Sequence, residues 1–161
     1  MTADQLFSVL NLVTMAAWLP LVFLPRVRWT ATLLPVVVPS LLAVVYAALV
    51  AATLSQSEGG FSSLAGVRML FDNLWMLLAG WTHYLAFDLF IGGWEVRDAQ
   101  RRGVPHLLIV PALVLTFLLG PAGLLLYLAT RSVSSAAGPV SGGRHVASVD
   151  NVAPRRCIEP R

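Results

Sequence analysis

The sequence predicts an all-α integral membrane protein, a bundle of four helices that each cross the bilayer. Of the 161 residues, 57% are hydrophobic and only 12% are charged, which leaves too few charges to cover a soluble domain of this size. Four apolar runs account for the excess, and each is long enough to cross roughly 30 Å of hydrocarbon at about 1.5 Å per residue. These runs contain no lysine or arginine and comprise residues 6–24, 30–54, 69–91 and 106–130.

The connections and prolines define the first three elements. The first run ends at Pro25, and the connection "PRVRW" is so short that it predicts a tight antiparallel turn. Pro35 and Pro39 lie in the first half of the second run, where each removes a backbone N–H and predicts a kink. Ser62 or Ser63 is a candidate cap for a helix that leads into the third run.

The fourth run contains "GPAG", and Pro121 is expected to bend its helix at about two-thirds of its length. Beyond it, residues 131–161 are rich in Ser, Gly, Pro and Arg without hydrophobic periodicity, which predicts a disordered polar tail. The chain therefore divides into a four-span transmembrane domain, residues 1–130, and a tail, residues 131–161.

The arginines predict an orientation. Cytoplasmic connections of membrane proteins carry an excess of positive charge. Connections one–two and three–four hold five arginines, and the opposite side holds three near the spans or farther off. This bias puts both termini outside and the two short connections in the cytoplasm. The first group is Arg26, Arg28, Arg97, Arg101 and Arg102; the second is Arg68, Arg131 and Arg144.

The third run carries a histidine near its centre. An ionised side chain at a helix centre costs about 2.5–3.5 kcal/mol on insertion scales, so such groups face a bundle interior or a wet cavity. His83 lies about 4–5 Å along the axis from the midpoint of the run at Gly80. The small residues Ala79 and Ala86 share its stripe, which predicts that His83 lies inside the bundle.

The carboxylates that follow His83 lie on a different face. Asp88 shares a second stripe with Trp81, Tyr84 and Glu95, so His83 and Asp88 are not a pair on one helix face, although they could line one cavity. The segment "EVRDAQRR" has two interpretations. It is either a solvated cytoplasmic turn with ion pairs, or part of a site together with Asp88 and His106 at the predicted cytoplasmic end.

Asp98 and the histidine at the start of the fourth run, His106, belong to this same end of the molecule. No H-x-x-x-H, E-x-x-H or H-E-x-x-H spacing supports a metal site, and no G-x-S-x-G turn supports a nucleophilic triad. The net formal charge of +3 is not a nucleic-acid footprint, because the arginines lie in short connections and the tail. These carboxyl and histidine groups could coordinate a metal, perform acid–base chemistry or simply pair with Arg97, Arg101 and Arg102.

The third and fourth runs carry a recognisable set of motifs. These are "W-x-H-Y-L-x-F-D-L-F-x-G-x-W", then "RDA", then "G-x-x-H", and finally "L-T-F-L-L-G-P-x-G-L-L-x-Y". Over about residues 5–130 the chain resembles the small four-span membrane family of the plant abscisic-acid-deficient-four protein, which is implicated in neoxanthin synthesis. The resemblance implies a role in xanthophyll or related isoprenoid metabolism.

The chemistry that the resemblance implies is an isomerisation, in which an epoxide oxygen gains a proton and a carbon on the polyene side loses one. This needs a general acid and a general base but no obligatory redox cofactor. Asp88 or Asp98 is the candidate acid, and His83 or His106 the candidate base. The aromatic residues expected to bind the substrate are Trp81, Tyr84, Phe87 and Trp94.

The main alternative is a non-enzymatic lipid- or pigment-binding module, or a subunit that stabilises another enzyme. A transporter or channel is less favoured, because the chain has no inverted repeat and no ring of like charges. The expected partners are the lipid bilayer and a hydrophobic isoprenoid or carotenoid, with a homo-oligomer as an option. The lysine-free, Ala/Leu/Val-rich composition is typical of a high-GC bacterium, so we expect a bacterial cell membrane and do not carry over the plant substrate.

Overall fold

The computed structural model describes residues 1–136, and this part of the chain is helical apart from short connections. The helices are α1 (Ala3–Phe23), α2 (Arg28–Thr32), α3 (Leu34–Thr53), α4 (Leu64–Asp72), α5 (Leu74–Arg102), α6 (His106–Leu119) and α7 (Pro121–Ala136), with one 3₁₀ turn at Leu54–Gln56. The all-α prediction is confirmed for these residues. Most of the predicted tail lies outside them, and its first six residues belong to α7.

Three of the described helices are long and apolar enough to cross a membrane. They are α1 with 21 residues, α3 with its 3₁₀ turn with 23 residues, and α5 with 29 residues. They correspond to the first three apolar runs of the sequence. The third extends much farther than predicted, because the segment "EVRDAQRR" continues the helix to Arg102 instead of forming a turn.

Short polar side chains cap the N-termini of α1, α4 and α5 by accepting hydrogen bonds from backbone N–H groups that have no partner within the helix. Thr2 and Gln5 form a reciprocal capping box at the start of α1. Ser63 accepts a 3.0 Å hydrogen bond from the N–H of Gly66 at the start of α4, as one of the two predicted caps. Asn73 then ends α4 and caps α5 by accepting from the N–H groups of Trp75 and Met76.

Helix α5 is the centre of the fold, with α1 parallel to it and α3 antiparallel. Near the beginning of α5, the indole N–H of Trp81 donates to Asn11 of α1 at 3.2 Å. Near its end, Gln100 donates to the carbonyl of Pro25, just after α1. Between these points Gly92 faces the ring of Trp18 in α1 and Gly93 faces Pro35 in α3, where a Cβ atom would collide with either partner. The two glycines therefore allow both neighbouring helices to approach α5 closely.

The fourth predicted span is a helical hairpin in the structure. Its first arm, α6, begins beside the last turn of α1, where His106 contacts the carbonyl of Val22. It ends near Tyr84, whose hydroxyl donates to the carbonyl of Leu118 at 2.9 Å. The second arm, α7, returns to the starting end, where Tyr127 contacts Asp98. The chain thus reverses direction at Gly120, instead of bending and continuing.

This reversal corrects two predictions. The segment 106–130 is not one continuous helix, because Gly120 adopts φ +36° and ψ −90°, a conformation outside the helical range. Because α7 returns to the C-terminal end of α5, it ends at the opposite end of the bundle from Ala3. Ala3 and Ala136 therefore lie at opposite ends of the bundle, whereas the predicted straight fourth span would have placed the two at the same end.

Candidate functional site

The polar face of α5 lies underneath the hairpin. Tyr84, Asp88 and Glu95 are separated by four and seven residues, which places them on one face of the helix. Each of them faces the hairpin: Tyr84 contacts Leu118, Asp88 contacts Gly120, and Glu95 contacts Thr116. These three members of the predicted stripe share one face, and the hairpin is the element that covers it, whereas Trp81, the fourth member, donates to Asn11 of α1.

Asp88 in α5 carries the carboxyl group that lies against the tip of the hairpin. Asp88 is only 8% exposed, and its buried Oδ2 atom has no hydrogen-bond partner among the described residues. Gly120 lies directly over it, such that a Cβ atom at this glycine would be 2.5 Å from Oδ1 of Asp88. No arginine of the described residues pairs with this carboxyl group, since the ion pairs there involve Asp98. One oxygen of Asp88 is therefore buried without a hydrogen bond or an ion pair from the described residues.

Glu95 is a functional candidate for which the sequence left two interpretations open, a solvated turn and part of a site. The structure buries it completely. The hydroxyl of Thr116 in α6 lies 3.0 Å from Oε1 and 3.2 Å from Oε2. Its spacing of seven residues from Asp88 had already placed both carboxyl groups on one helix face, and the structure shows that this face is buried. A second buried carboxyl group thus lies two turns below the first.

Asp98 in α5 forms hydrogen bonds with α7, the second arm of the hairpin. Its Oδ2 atom accepts hydrogen bonds from Tyr127 at 2.7 Å, from Arg102 at 2.8 Å and from Arg131 at 3.1 Å. Trp94 belongs to the same cluster. Its ring meets the Tyr127 ring edge-on with 5.5 Å between centroids, and the guanidinium carbon of Arg131 lies 5.6 Å from the centroid of the Trp94 ring. These contacts give Asp98 and Trp94 packing and pairing partners within the fold.

His106 binds the end of α1. Its Nε2 atom lies 2.8 Å from the carbonyl oxygen of Val22, and because a carbonyl can only accept, Nε2 donates. The last carbonyls of a helix lack partners within it, so His106 satisfies one of them and joins the hairpin to α1.

The prediction that His83 lies inside the bundle is wrong. This histidine is exposed on the surface between α3 and α5, where it stacks on Phe87 with ring centroids 4.4 Å apart and lies 5.4 Å from the ring of Tyr46. The small residues Ala79 and Ala86 are buried, but they pack against α3 on either side of the histidine. Phe87 itself lines a surface groove of about 280 Å³ together with Phe90.

The aromatic residues Trp81 and Tyr84 line a larger groove between the first turns of α1 and α5. This groove has a volume of about 460 Å³, and Phe7, Phe71 and Gly80 also line it. Trp81 lies 5.7 Å from Phe7 and 5.2 Å from Tyr84, measured between ring centroids. We call it the Trp81–Tyr84 groove. Asp88 lies one turn beyond Tyr84 in α5, but it does not line the groove.

The predicted site residues therefore fall into separate regions. Tyr84 and Asp88 lie together at the hairpin tip, with Trp81 in the adjoining groove. Asp98, Trp94 and His106 lie at the base of the hairpin, and His83 and Phe87 lie on the α3–α5 surface. Within residues 1–136, no three histidine, cysteine, aspartate or glutamate side chains are grouped so that they could hold a metal ion.

Comparison with known proteins gives a family. No curated protein and no solved structure matches the chain significantly. The model of one family, described as ABA DEFICIENT 4-like, matches residues 5–127. This match covers the three long apolar helices and the hairpin as far as Tyr127, and it confirms the resemblance inferred from the motifs of the third and fourth apolar runs. The chain belongs to the ABA DEFICIENT 4-like family.

Proposed function

We propose that this protein is a multi-pass membrane enzyme of carotenoid or related isoprenoid metabolism, in which Asp88 performs an acid–base isomerisation of an epoxide-bearing substrate. Family membership supports the link to carotenoid metabolism. The three long apolar helices are consistent with a lipid environment. The single observation that carries the chemistry is the buried Asp88 carboxyl group, with one oxygen unpartnered, one helical turn beyond Tyr84, which lines an aromatic groove.

In this proposal α1, α3 and α5 cross the bilayer, and the hairpin enters it from one side and returns. The backbone reversal at Gly120 then lies at membrane depth. Non-helical backbone is tolerated there only where protein or a water-filled cavity surrounds it. Gly120 meets this requirement, because it is buried against Asp88.

The proposed reaction conserves all atoms and needs no oxidant. A carboxylic acid carries a donor on one oxygen and an acceptor on the other. Asp88 in its protonated form gives its proton to the epoxide oxygen while one carbon–oxygen bond breaks, and that bond's electron pair goes to the oxygen. The adjacent polyene carbon loses a proton to the carboxylate, and the electron pair of its carbon–hydrogen bond forms a new double bond. The substrate becomes an alcohol with the same mass.

The Trp81–Tyr84 groove is the proposed place for the apolar body of the substrate. Aromatic faces with few polar groups suit a polyene, and small-molecule sites combine such surfaces with a few convergent polar atoms. Because Gly120 covers Asp88, the epoxide reaches the carboxyl group only when the hairpin tip moves away from α5. The hydrogen bond between Tyr84 and the carbonyl of Leu118 is the contact that must open.

The test is pigment analysis in a host that makes 5,6-epoxy carotenoids. The wild-type protein should convert them to an isomer of equal mass, and Asp88→Asn should accumulate to the same level in the membrane without forming product. Asp72→Asn is the matched control, because it makes the same chemical change at an exposed carboxylate in α4. Equal product from Asp88→Asn and the wild type would refute the proposed role.

One observation favours the alternative of a pigment- or lipid-binding module. The residues that line the Trp81–Tyr84 groove include Asp4 at its mouth but not Asp88, so the groove can hold an apolar ligand without contact with the buried carboxyl group. If the wild-type protein retains epoxy carotenoids through purification and releases them unaltered, the binding module is the correct description.

A further inference from the structure

The charges of the described residues are divided between the two ends of the bundle. We call the C-terminal end of α5, with the connection after α1 and the end of α7, the arginine end. It holds Arg26, Arg28, Arg97, Arg101, Arg102 and Arg131. The opposite end holds a single arginine in the described chain, Arg68 in α4, together with the carboxylates Asp4, Glu58 and Asp72.

The hairpin is what makes this division so uneven. A straight fourth span would carry Arg131 to the opposite end and leave the arginine bias modest. Because the chain reverses at Gly120, Arg131 instead lies 3.1 Å from Asp98, at the same end as Arg102. Among the arginines of residues 1–136, the division becomes six against one.

Several of these arginines carry charge that the fold does not neutralise. Asp98 is the carboxylate partner that the described residues offer at the arginine end, and it pairs with Arg102 and Arg131. Arg26 and Arg101 are exposed, Arg97 is half-buried, and none of the three forms an ion pair within residues 1–136. Their guanidinium groups are therefore available to an external anion.

A leaflet rich in anionic phospholipids is the partner that suits this geometry. When α1, α3 and α5 cross the bilayer as proposed, these arginines surround the helix ends, which then lie at the depth of the lipid headgroups. Positive residues near span ends favour the cytoplasmic side, and each is attracted to an anionic lipid surface. Arginine also binds phosphate oxygens through two parallel hydrogen bonds.

We propose that the arginine end binds anionic phospholipid headgroups of the cytoplasmic leaflet. The amino terminus and the Trp81–Tyr84 groove then lie toward the outer side, and the chain beyond α7 continues in the cytoplasm. The inference rests on the membrane crossing by α1, α3 and α5 in the proposed function, but not on any chemistry at Asp88. It implies that an isoprenoid substrate reaches the groove from the outer leaflet.

The first test uses the only cysteine of the chain, Cys157, which follows α7. In intact bacterial spheroplasts, a membrane-impermeant maleimide should leave Cys157 unlabelled, and permeabilisation should expose it to full labelling. In the Cys157→Ser background, Thr2→Cys should be labelled in intact spheroplasts. Labelling of Cys157 in intact spheroplasts, or equal protection of both positions, would overturn the orientation. Recovery of the protein in the soluble fraction would contradict the membrane crossing itself.

The second test addresses the lipid. In nanodiscs, the wild-type protein should unfold at a higher temperature in phosphatidylglycerol than in phosphatidylcholine, and inorganic phosphate should not reproduce the shift. Arg26→Gln, Arg97→Gln and Arg101→Gln together should remove most of this difference, whereas Arg68→Gln at the other end should retain it. An unchanged lipid dependence in the triple variant, or a shift reproduced by inorganic phosphate alone, would contradict binding of the phospholipid at the arginine end.

Discussion

At the residue scale, Gly120 and Asp88 form one structural unit. Gly120 has φ +36°, which L side chains rarely adopt, and its missing Cβ leaves room for the carboxyl group of Asp88. The sequence drew attention to Asp88 because an ionisable residue in an apolar run is unusual. It could not indicate that Gly120 covers it, because the two are 32 residues apart and meet only through the fold.

Replacing Gly120 with alanine should destabilise the protein by about 1–3 kcal/mol, since a Cβ atom strains the backbone and crowds Oδ1 of Asp88. Gly60→Ala is the matched control, because no atom lies within 4 Å of a Cβ atom there and its φ is not positive. Thermal unfolding in detergent measures both variants. If they lose equal stability, the close contact at the hairpin tip is not as described.

The hydroxyl of Thr116 is the hydrogen-bond donor to the buried carboxyl group of Glu95. Thr116→Val retains the shape but leaves Glu95 without this donor, so it should lower the free energy of unfolding by about 1–3 kcal/mol. Thr116→Ser should restore most of it. Thr53→Val, which removes a hydroxyl bonded within its own helix, should cost less. Chemical denaturation compares the three, and a harmless Thr116→Val would show that the contact contributes little.

At the scale of elements, the hairpin explains most of the difference between prediction and structure. The run 106–130 is apolar throughout and long enough to cross a membrane, so length and composition alone predict a span. Pro121 correctly indicated an irregularity. Whether the chain bends or reverses depends on contacts from α7 to Asp98 and from α6 to Glu95, which local sequence does not reveal.

The same contacts explain why α5 was predicted too short. Glu95, Arg97 and Asp98 resemble a solvated turn in isolation, because charged residues seldom belong to an apolar span. In the structure Thr116 binds Glu95, and Tyr127 and Arg131 bind Asp98, so the hairpin provides the polar partners that allow the helix to continue. The burial of His83 was predicted wrongly because the sequence could not show that no described helix covers this side of α5, where His83 is exposed.

Loss of the bond between Tyr127 and Asp98 should loosen α7 without unfolding the bundle. We expect Tyr127→Phe to increase amide hydrogen exchange several-fold in the second arm of the hairpin and to leave exchange in α3 unchanged. Tyr46→Phe in α3 is the control, because no hydrogen bond of its hydroxyl holds the hairpin. Uniform acceleration across the protein in Tyr127→Phe would mean that the hairpin is not an independently opening unit.

At the scale of the whole molecule, composition was sufficient to predict the all-α class, and the motifs were sufficient to identify the family. The first three apolar runs correspond to the three long helices. The largest difference between a predicted and an observed helix end is at the C-terminal end of α5, where charged residues interrupt the apolar pattern. The arrangement of site residues followed from the hairpin and not from the sequence. It buries Asp88 beneath Gly120, one helical turn beyond Tyr84, and assigns Asp98 and His106 to contacts that hold the base of the hairpin.

The central claim is that Asp88 carries out an isomerisation at the tip of the hairpin. Its most direct test is the conversion of a 5,6-epoxy carotenoid by purified protein in nanodiscs, with wild type, Asp88→Asn and Asp72→Asn measured side by side. The account predicts a product of unchanged mass from the wild type and from Asp72→Asn, and turnover lowered by at least about 100-fold in Asp88→Asn. Wild-type turnover by Asp88→Asn would contradict it.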